Sequence, residues 1–224
     1  MPREAPSRRK CSERDGRTNK CVPQGRRAGL TWKQFLAAHA NTLVAADFFA
    51  VDTVFLKRLH VLFFIHVGSR RIVWAACTGE PNGEWVTQQA RNALWQLAEE
   101  ATEVRLMLHD RDRKFSRGFD TLWEAEGARV MLTPLMAPKA NAYAERWVGS
   151  ARRECLDWML IVGQRHLSRV VGEYVTHYNT ERPHRSRGLM PLSGAEPAVS
   201  GGPVVSRPRL GGLAHEYSRQ TEAA

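Results

Sequence analysis

LVAADFFAVDTVFLKRLHVLFFIHVGSRRIVWAAC, residues 43–77, decides the fold of this chain. It holds three apolar runs, Leu43–Val51, Leu59–Val67 and Arg70–Cys77, each the length of a strand and rich in Val, Ile and Phe. The short polar gap at Gly68–Ser69 makes the last two a hairpin. The runs are nearly continuous rather than alternating, as expected of strands covered on both faces.

Working outward, the segment TWKQFLAAHAN (31–41) has Trp32, Phe35, Leu36 and Ala40 at helical spacing. Downstream, Pro81–Asn82–Gly83 ends the strand region and starts a helix over about 83–100. There Asn82 is a candidate N-cap, and Val86, Ala90, Ala93 and Leu97 form one apolar face. Val104–Leu108 reads as a buried strand, Ser116–Glu126 as a helix closed by Gly127, and Arg129–Thr133 as a further strand. Strand, helix, strand in this order is a parallel crossover unit. A loop at 134–141 leads to helices over about 142–158 and 164–178, and periodicity fades from about residue 190. Three sequential antiparallel strands followed by two delivered through helices predict an α/β fold. It is a five-stranded mixed sheet with helices on both faces, ribonuclease H-like. The expected organisation is a basic disordered arm (1–29), a core (30–195) and a mostly irregular tail (196–224).

Composition narrows the function. With 224 residues and 43% hydrophobic content, one well-buried domain is expected. No stretch approaches the ~20 apolar residues of a membrane span, and no apolar block near the start resembles a signal peptide. A cytosolic protein with no membrane partner is the expectation. Cys11, Cys21, Cys77 and Cys155 form no C-x-x-C pair, and Cys77 and Cys155 read as buried free thiols. Of the formal net charge of +10, residues 1–33 supply +7, ten Lys/Arg against three Asp/Glu. A basic arm on a nearly balanced domain fits a polyanionic partner; a solvated tail without function has the same composition.

Three acids stand out. Asp47 interrupts the apolar run 43–51, Asp110 comes just past VRLML, after His109, and Glu145 lies in the segment leading from the 134–141 loop into the helix. A carboxylate within or just past a buried strand needs a compensating partner. Glu145 lies one step round from the apolar stripe Ala144, Val148, Ala151 and Cys155, and Arg152, seven residues on, falls on the same helix edge. Three converging carboxylates repel one another, by roughly 4 kcal/mol per pair at ~4 Å and an effective dielectric of ~20. Such a site binds cations, and an all-oxygen ligand set favours Mg²⁺ or Mn²⁺. Two ions are the expected number, one for each side of an in-line phosphoryl displacement. No convincing Ser/His or Cys/His arrangement competes with this reading, and His109 beside Asp110 reads as structural.

On these residues the chain resembles the integrase catalytic core of bacterial insertion-sequence transposases, related to retroviral integrases. The likeness runs over about residues 30–195. Asp110 to Phe115 resembles the family's D-x-G-x-x-F motif, with Asp112 in place of the glycine. Glu145 follows Asp110 by 35 residues, as the family's glutamate does, and Asn141–Glu145 resembles its N-x-x-x-E region. Tyr178, Asn179, Arg182, Pro183 and His184 resemble its Y-N-x-x-R-P-H segment, and Ser69–Arg70 also matches. The first acid is Asp47 or Asp52, 22 and 17 residues before Ser69. The longer spacing is the one bacterial transposases show, which selects Asp47. Asp112 is the competing acid at the second position.

The resemblance implies a polynucleotidyl transferase that cuts and joins DNA with Asp47, Asp110 and Glu145 as catalytic metal ligands. It implies Mg²⁺ or Mn²⁺, double-stranded DNA (element ends and target) as partner, homo-oligomers on DNA, and the bacterial cytoplasm at the nucleoid. Lys139, Arg146, Arg152, Arg153, Arg182 and His184 are the candidate nucleic-acid contacts. A solvated or packing role competes for the helical arginines, and a capping role for His184. The tryptophans in helical segments read as packing residues. Transposases of this kind carry an upstream helix-turn-helix; residues 1–29 show no amphipathic helix pair, so an isolated or truncated core with weak terminal-repeat specificity is expected. A nuclease that only hydrolyses and a DNA-binding remnant are the alternatives.

Overall fold

The computed structural model describes residues 31–134, 142–194 and 202–219. Helix α1 (Trp32–His39) is opened by a capping box: Thr31 Oγ accepts from the Gln34 amide at 3.3 Å, and Gln34 Oε1 accepts from the Thr31 amide at 2.9 Å. Then come β1 (Leu43–Asp52), β2 (Arg58–His66), β3 (Ile72–Thr78), α2 (Gly83–Glu99), β4 (Leu106–His109), α3 (Arg117–Ala125) and β5 (Arg129–Leu132). Helices α4 (Ala142–Glu154) and α5 (Gln164–Thr180) complete the predicted elements. The five strands form one sheet ordered β3-β2-β1-β4-β5. The first three are antiparallel neighbours; β4 runs parallel to both β1 and β5.

The unbroken apolar runs are explained by two cores. Leu43, Ala45, Phe49 and Val51 of β1 face a core built with Trp147 and Ala151 of α4 and with Leu167, Val171 and Tyr174 of α5. Val44 and Ala46 point the other way, toward Val86, Ala90 and Ala93 of α2 and Phe119 and Trp123 of α3. Successive strand residues alternate faces, so covering both faces demands an apolar residue at every step. Cys77 and Cys155 are buried free thiols as expected, and burial pushes Cys77 up to about 11 and Cys155 to about 12. Trp123 and Trp147 pack in the two cores, whereas Trp95 and Trp158 are exposed.

Strand β3 begins at Ile72 rather than at Arg70. Arg70 takes a left-handed φ of 66° inside the hairpin turn, where its amide donates to the His66 carbonyl at 2.7 Å. Gly68 allows that turn to lie against α1's end: its amide bonds the Ala40 carbonyl at 2.8 Å, and a Cβ there would stand 2.9 Å from the same oxygen. The helix expected over 142–158 stops at Glu154, followed by a short 3-10 turn at Leu156–Trp158.

The larger difference is at the C-terminus. Residues read as an irregular tail include a hairpin, β6 (Val204–Arg209) paired antiparallel with β7 (Ala214–Arg219). Its turn residue Leu210 is buried in the α4/α5 core, and the Leu210 amide donates to Glu173 of α5 at 2.7 Å. The hairpin escapes a reading by pattern because Pro208 sits inside a strand, a position tolerated only where no ladder partner is needed. Its strand residues are also nearly all exposed, so no apolar alternation marks it.

Candidate active site

Asp47 lies on β1, and Asp110 lies just past the end of β4, the parallel neighbour of β1. In the parallel β1–β4 ladder Leu43, Val44 and Ala45 stand opposite Leu106, Met107 and Leu108. Asp47 and Asp110 each lie two residues beyond the last pair. Both share the parity of Leu43, Ala45, Leu106 and Leu108, which face the α4/α5 core. Both are half-buried. Asp47 Oδ1 accepts from the Phe48 amide at 2.7 Å. Asp110 Oδ1 accepts from the Asp112 amide at 3.0 Å, the start of the turn that leads into α3.

Helix α4 crosses this same face. Trp147 packs at 4.3 Å and a tilt of 43° against Phe63, the residue paired with Asp47 across the β1–β2 ladder, and meets Phe49 edge-on at 5.7 Å. Arg152 Nη2 donates to the Ala50 carbonyl of β1 at 2.7 Å, and its guanidinium lies 5.8 Å from the Phe49 ring. Glu145 is two turns before Arg152 on the same helix edge, in the first turn of α4. That edge is therefore pinned to β1 just past Asp47. Glu145 itself is exposed. Among the described residues no three His, Cys, Asp or Glu side chains form a group close enough to hold a metal. Asp47 and Asp110 thus follow neighbouring paired positions of β1 and β4, Glu145 stands in the first turn of the helix that packs on that sheet face, and the three do not form one cluster. As a donor set, two half-buried carboxylates with a third on the covering helix suit a hard divalent cation.

The competing acids are occupied. Asp52 is exposed at the end of β1 and bonds Arg58 at 2.9 and 3.3 Å; the Arg58 hydrogen bond holds its carboxyl below the usual range. It also has the opposite strand parity to Asp47. Asp112 accepts from the Lys114 ammonium and, at 3.0 Å, from the Lys114 amide. Burial alone would raise Asp112, but these bonds bring it below the ordinary value. By contrast, Asp110 and Glu145 form no salt bridge to a described residue. His109 is buried, bonded to Asp120 at 3.0 Å and packed against Phe115 and Phe119, which makes it a structural residue as expected.

The basic candidates divide. Arg146 and Arg153 are exposed on α4. Arg152 is turned inward onto β1. Arg182 is held by Glu154 at 2.7 and 2.6 Å, and His184 is buried with Nε2 3.0 Å from the Tyr178 carbonyl. Burial lowers His184 below its ordinary value, so it is neutral at pH 7 and packs edge-on against Tyr178 at 4.8 Å. Lys139 and Asn141 lie outside the described residues.

Residues 126–191 match the family model described as integrase core domain. A protein of insertion element IS476 from Xanthomonas euvesicatoria, described as an uncharacterized 39.2 kDa protein, is 34% identical over 76 residues, 34% of this chain and 22% of that protein. The chain's match thus spans about a fifth of the length of this curated relative. The Mos1 mariner transposase catalytic domain shares the fold, with a TM-score of 0.52 and 13–14% identity, over 65% of this chain and 77–78% of that one. Two of those Mos1 structures contain raltegravir with Mg or with Mn. A chain of the simian T-cell lymphotropic virus intasome, in complex with a PP2A regulatory subunit, overlays with a TM-score of 0.56 at 11% identity, covering 80% of this chain and 67% of that one. The five-stranded mixed sheet is thus the ribonuclease H-like sheet of transposase and integrase catalytic domains.

The integrase-core match takes in Glu145, Glu154 and Arg182 but begins after Asp110. Within it, sequence reasoning missed two residues. Glu154 was one acid among many on a helix. It binds Arg182 through both oxygens and accepts from the Tyr174 hydroxyl at 2.9 Å. Asn179 was seen only as a motif letter. Its amide donates to the Ile72 carbonyl at 2.9 Å and accepts from the Ile72 amide at 3.0 Å, clamping α5 to β3 where the β2–β3 register slips. No described helix is long and apolar enough to cross a membrane.

Proposed function

We propose that this chain is the catalytic core of a DNA transposase, with Asp47, Asp110 and Glu145 as the acids that hold divalent cations and act on phosphodiester bonds. The observation that supports the reading is that Asp47 and Asp110 each lie two residues past the last pair of the parallel β1–β4 ladder, next to the sheet face that α4 covers, with Glu145 in the first turn of α4. Half-buried carboxylates near one another are costly, and a cation relieves that cost. Mg²⁺ or Mn²⁺ bound there would activate an attacking hydroxyl and stabilise the leaving oxygen, and two such ions fit the chemistry. The chain's own residues bind and orient. The β1 and β4 backbones fix the two aspartates, and Arg152 with Trp147 fixes the helix that presents the glutamate. In cleavage, a water oxygen bonds to phosphorus while the P–O3′ bond breaks and the 3′-oxygen takes a proton. In joining, that 3′-oxygen bonds to a target phosphorus while the target strand's P–O3′ bond breaks, and the released 3′-oxygen takes the proton that the attacking hydroxyl loses. The partners are then element-end and target duplexes, with several copies assembled on paired ends in the bacterial cytoplasm. The mariner transposase domain solved with Mg or Mn supports the choice of metal, and the viral intasome chain of the same fold supports assembly.

The core is residues 30–195, with the basic residues 1–29 adding non-specific attraction for DNA. A core that binds DNA without cutting it is the second reading, favoured by the exposure of Glu145. Incubating the full chain with a labelled duplex and Mn²⁺ separates the two. Nicked and joined products support a transposase, nicked products alone indicate a hydrolytic nuclease, and unchanged duplex with retained binding indicates the second reading.

A further inference from the structure

A second charged region lies on the other flank of α4. A cleft of about 730 Å³ is lined by Arg70, Arg146, Arg153, Arg182, Arg185 and Glu154, among others. The arginines come from three separate places: the β2–β3 turn, helix α4 and the turn after α5. A solvated helix face would not gather cations from three segments. The cleft's single acid, Glu154, is committed to Arg182 and Tyr174. His184, at its floor, is held neutral at pH 7 by burial. Arg146, Arg153 and Arg185 are exposed, and Arg153 lies over Gly149, where a Cβ would stand 3.0 Å from its Nη1. The glycine leaves room for the guanidinium to lie along the helix.

We propose that this cleft is a phosphate-binding subsite for the backbone of one DNA strand. Guanidinium groups favour phosphate through paired N–H donors. From Arg146 to Arg153 the helix advances about 10.5 Å, about three nucleotide rises of one strand, which suits a polymer rather than a single small anion. Arg146 is the residue after Glu145, about 100° round the helix. A strand held in the cleft therefore runs alongside the proposed acid site. The sequence pointed to Arg146, Arg153 and Arg182; Arg70 and Arg185 join them only through the fold. The proposal rests on the reading of the chain as a DNA-acting core, but it concerns binding alone.

The test measures binding of the full chain to a random-sequence DNA duplex by fluorescence anisotropy, in EDTA, across a salt series. The triple variant Arg146→Ala, Arg153→Ala, Arg185→Ala is compared with Arg91→Ala, Arg117→Ala, Arg129→Ala, which removes the same charge from exposed positions elsewhere. The expected result is a salt slope smaller by about 2.7 for the cleft variant, with affinity reduced on the order of a hundredfold at about 0.1 M salt. The control should lose much less. Equal losses in both variants would overturn the proposal, since only net charge would matter; so would no loss in either. Because EDTA removes divalent ions, failure here leaves the metal-site reading standing, and inert acid chemistry in the presence of Mn²⁺ leaves the cleft standing.

Discussion

Two flanks of helix α4 carry charge in opposite ways. On one, Arg182 and Glu154 are bound to each other through two short bonds, with Tyr174 and His184 completing the network. On the other, Asp47 lies on β1 and Asp110 just past the neighbouring β4, and neither Asp110 nor Glu145 forms a salt bridge to a described residue. The first arrangement satisfies its charges within the protein and so builds the fold. The second is the proposed site of divalent cations. Motif letters alone do not separate these cases; the partners do.

The contrast can be broken by substitution. The largest effect is expected on the acid flank, where Asp110→Asn or Glu145→Gln should lower metal-dependent DNA cleavage by roughly a thousandfold, the equivalent of ~4 kcal/mol of transition-state stabilisation. Thermal melting of both variants should stay at or above wild type, because a repelling charge has been removed. On the arginine flank the pattern should invert. Glu154→Ala strands the half-buried Arg182 and should cost about 2 kcal/mol by urea unfolding, between the values for exposed and buried pairs. Asn179→Ala removes both bonds to Ile72 and should cost a further, smaller amount, about 1–2 kcal/mol. A loss of folding in the acid variants, or none in these two, would erase the distinction between flanks.

The smallest effect is a pH dependence. Burial holds His184 below its ordinary value of 6.5. The unfolded chain takes up a proton near 6.5 and the folded chain only at lower pH, so stability is full above that value and declines as pH falls below it. Unfolding midpoints measured on either side of pH 6.5 should therefore show a steeper acid-side decline in wild type than in His184→Gln. Parallel curves would place His184 outside the network.

Most of the fold was legible because its signals are local. Continuous apolar runs marked two-faced strands, and Val86, Ala90, Ala93 and Leu97 marked a helix by spacing. The hairpin at 204–219 was not, since its exposed strands and Pro208 carry no pattern, and only Leu210 ties it to the core. Asp47 and Asp110 stood out as acids in or just past apolar runs, and Glu145 by its place on a helix edge with Arg152. What the sequence could not separate was Arg153, exposed on α4, from Arg152, bonded to the Ala50 carbonyl. Adjacent residues on a helix point about 100° apart, and which of them meets a strand depends on contacts 102 residues away in the chain.

The central claim is that Asp47, and not Asp52, shares a site with Asp110. Metal-dependent nicking of supercoiled plasmid by Asp47→Asn and Asp52→Asn, measured beside wild type and Asp110→Asn, tests it most directly. The account predicts that Asp47→Asn is as inert as Asp110→Asn while Asp52→Asn, which loses only an exposed pair with Arg58, nicks like wild type. An active Asp47→Asn beside an inert Asp52→Asn would contradict it.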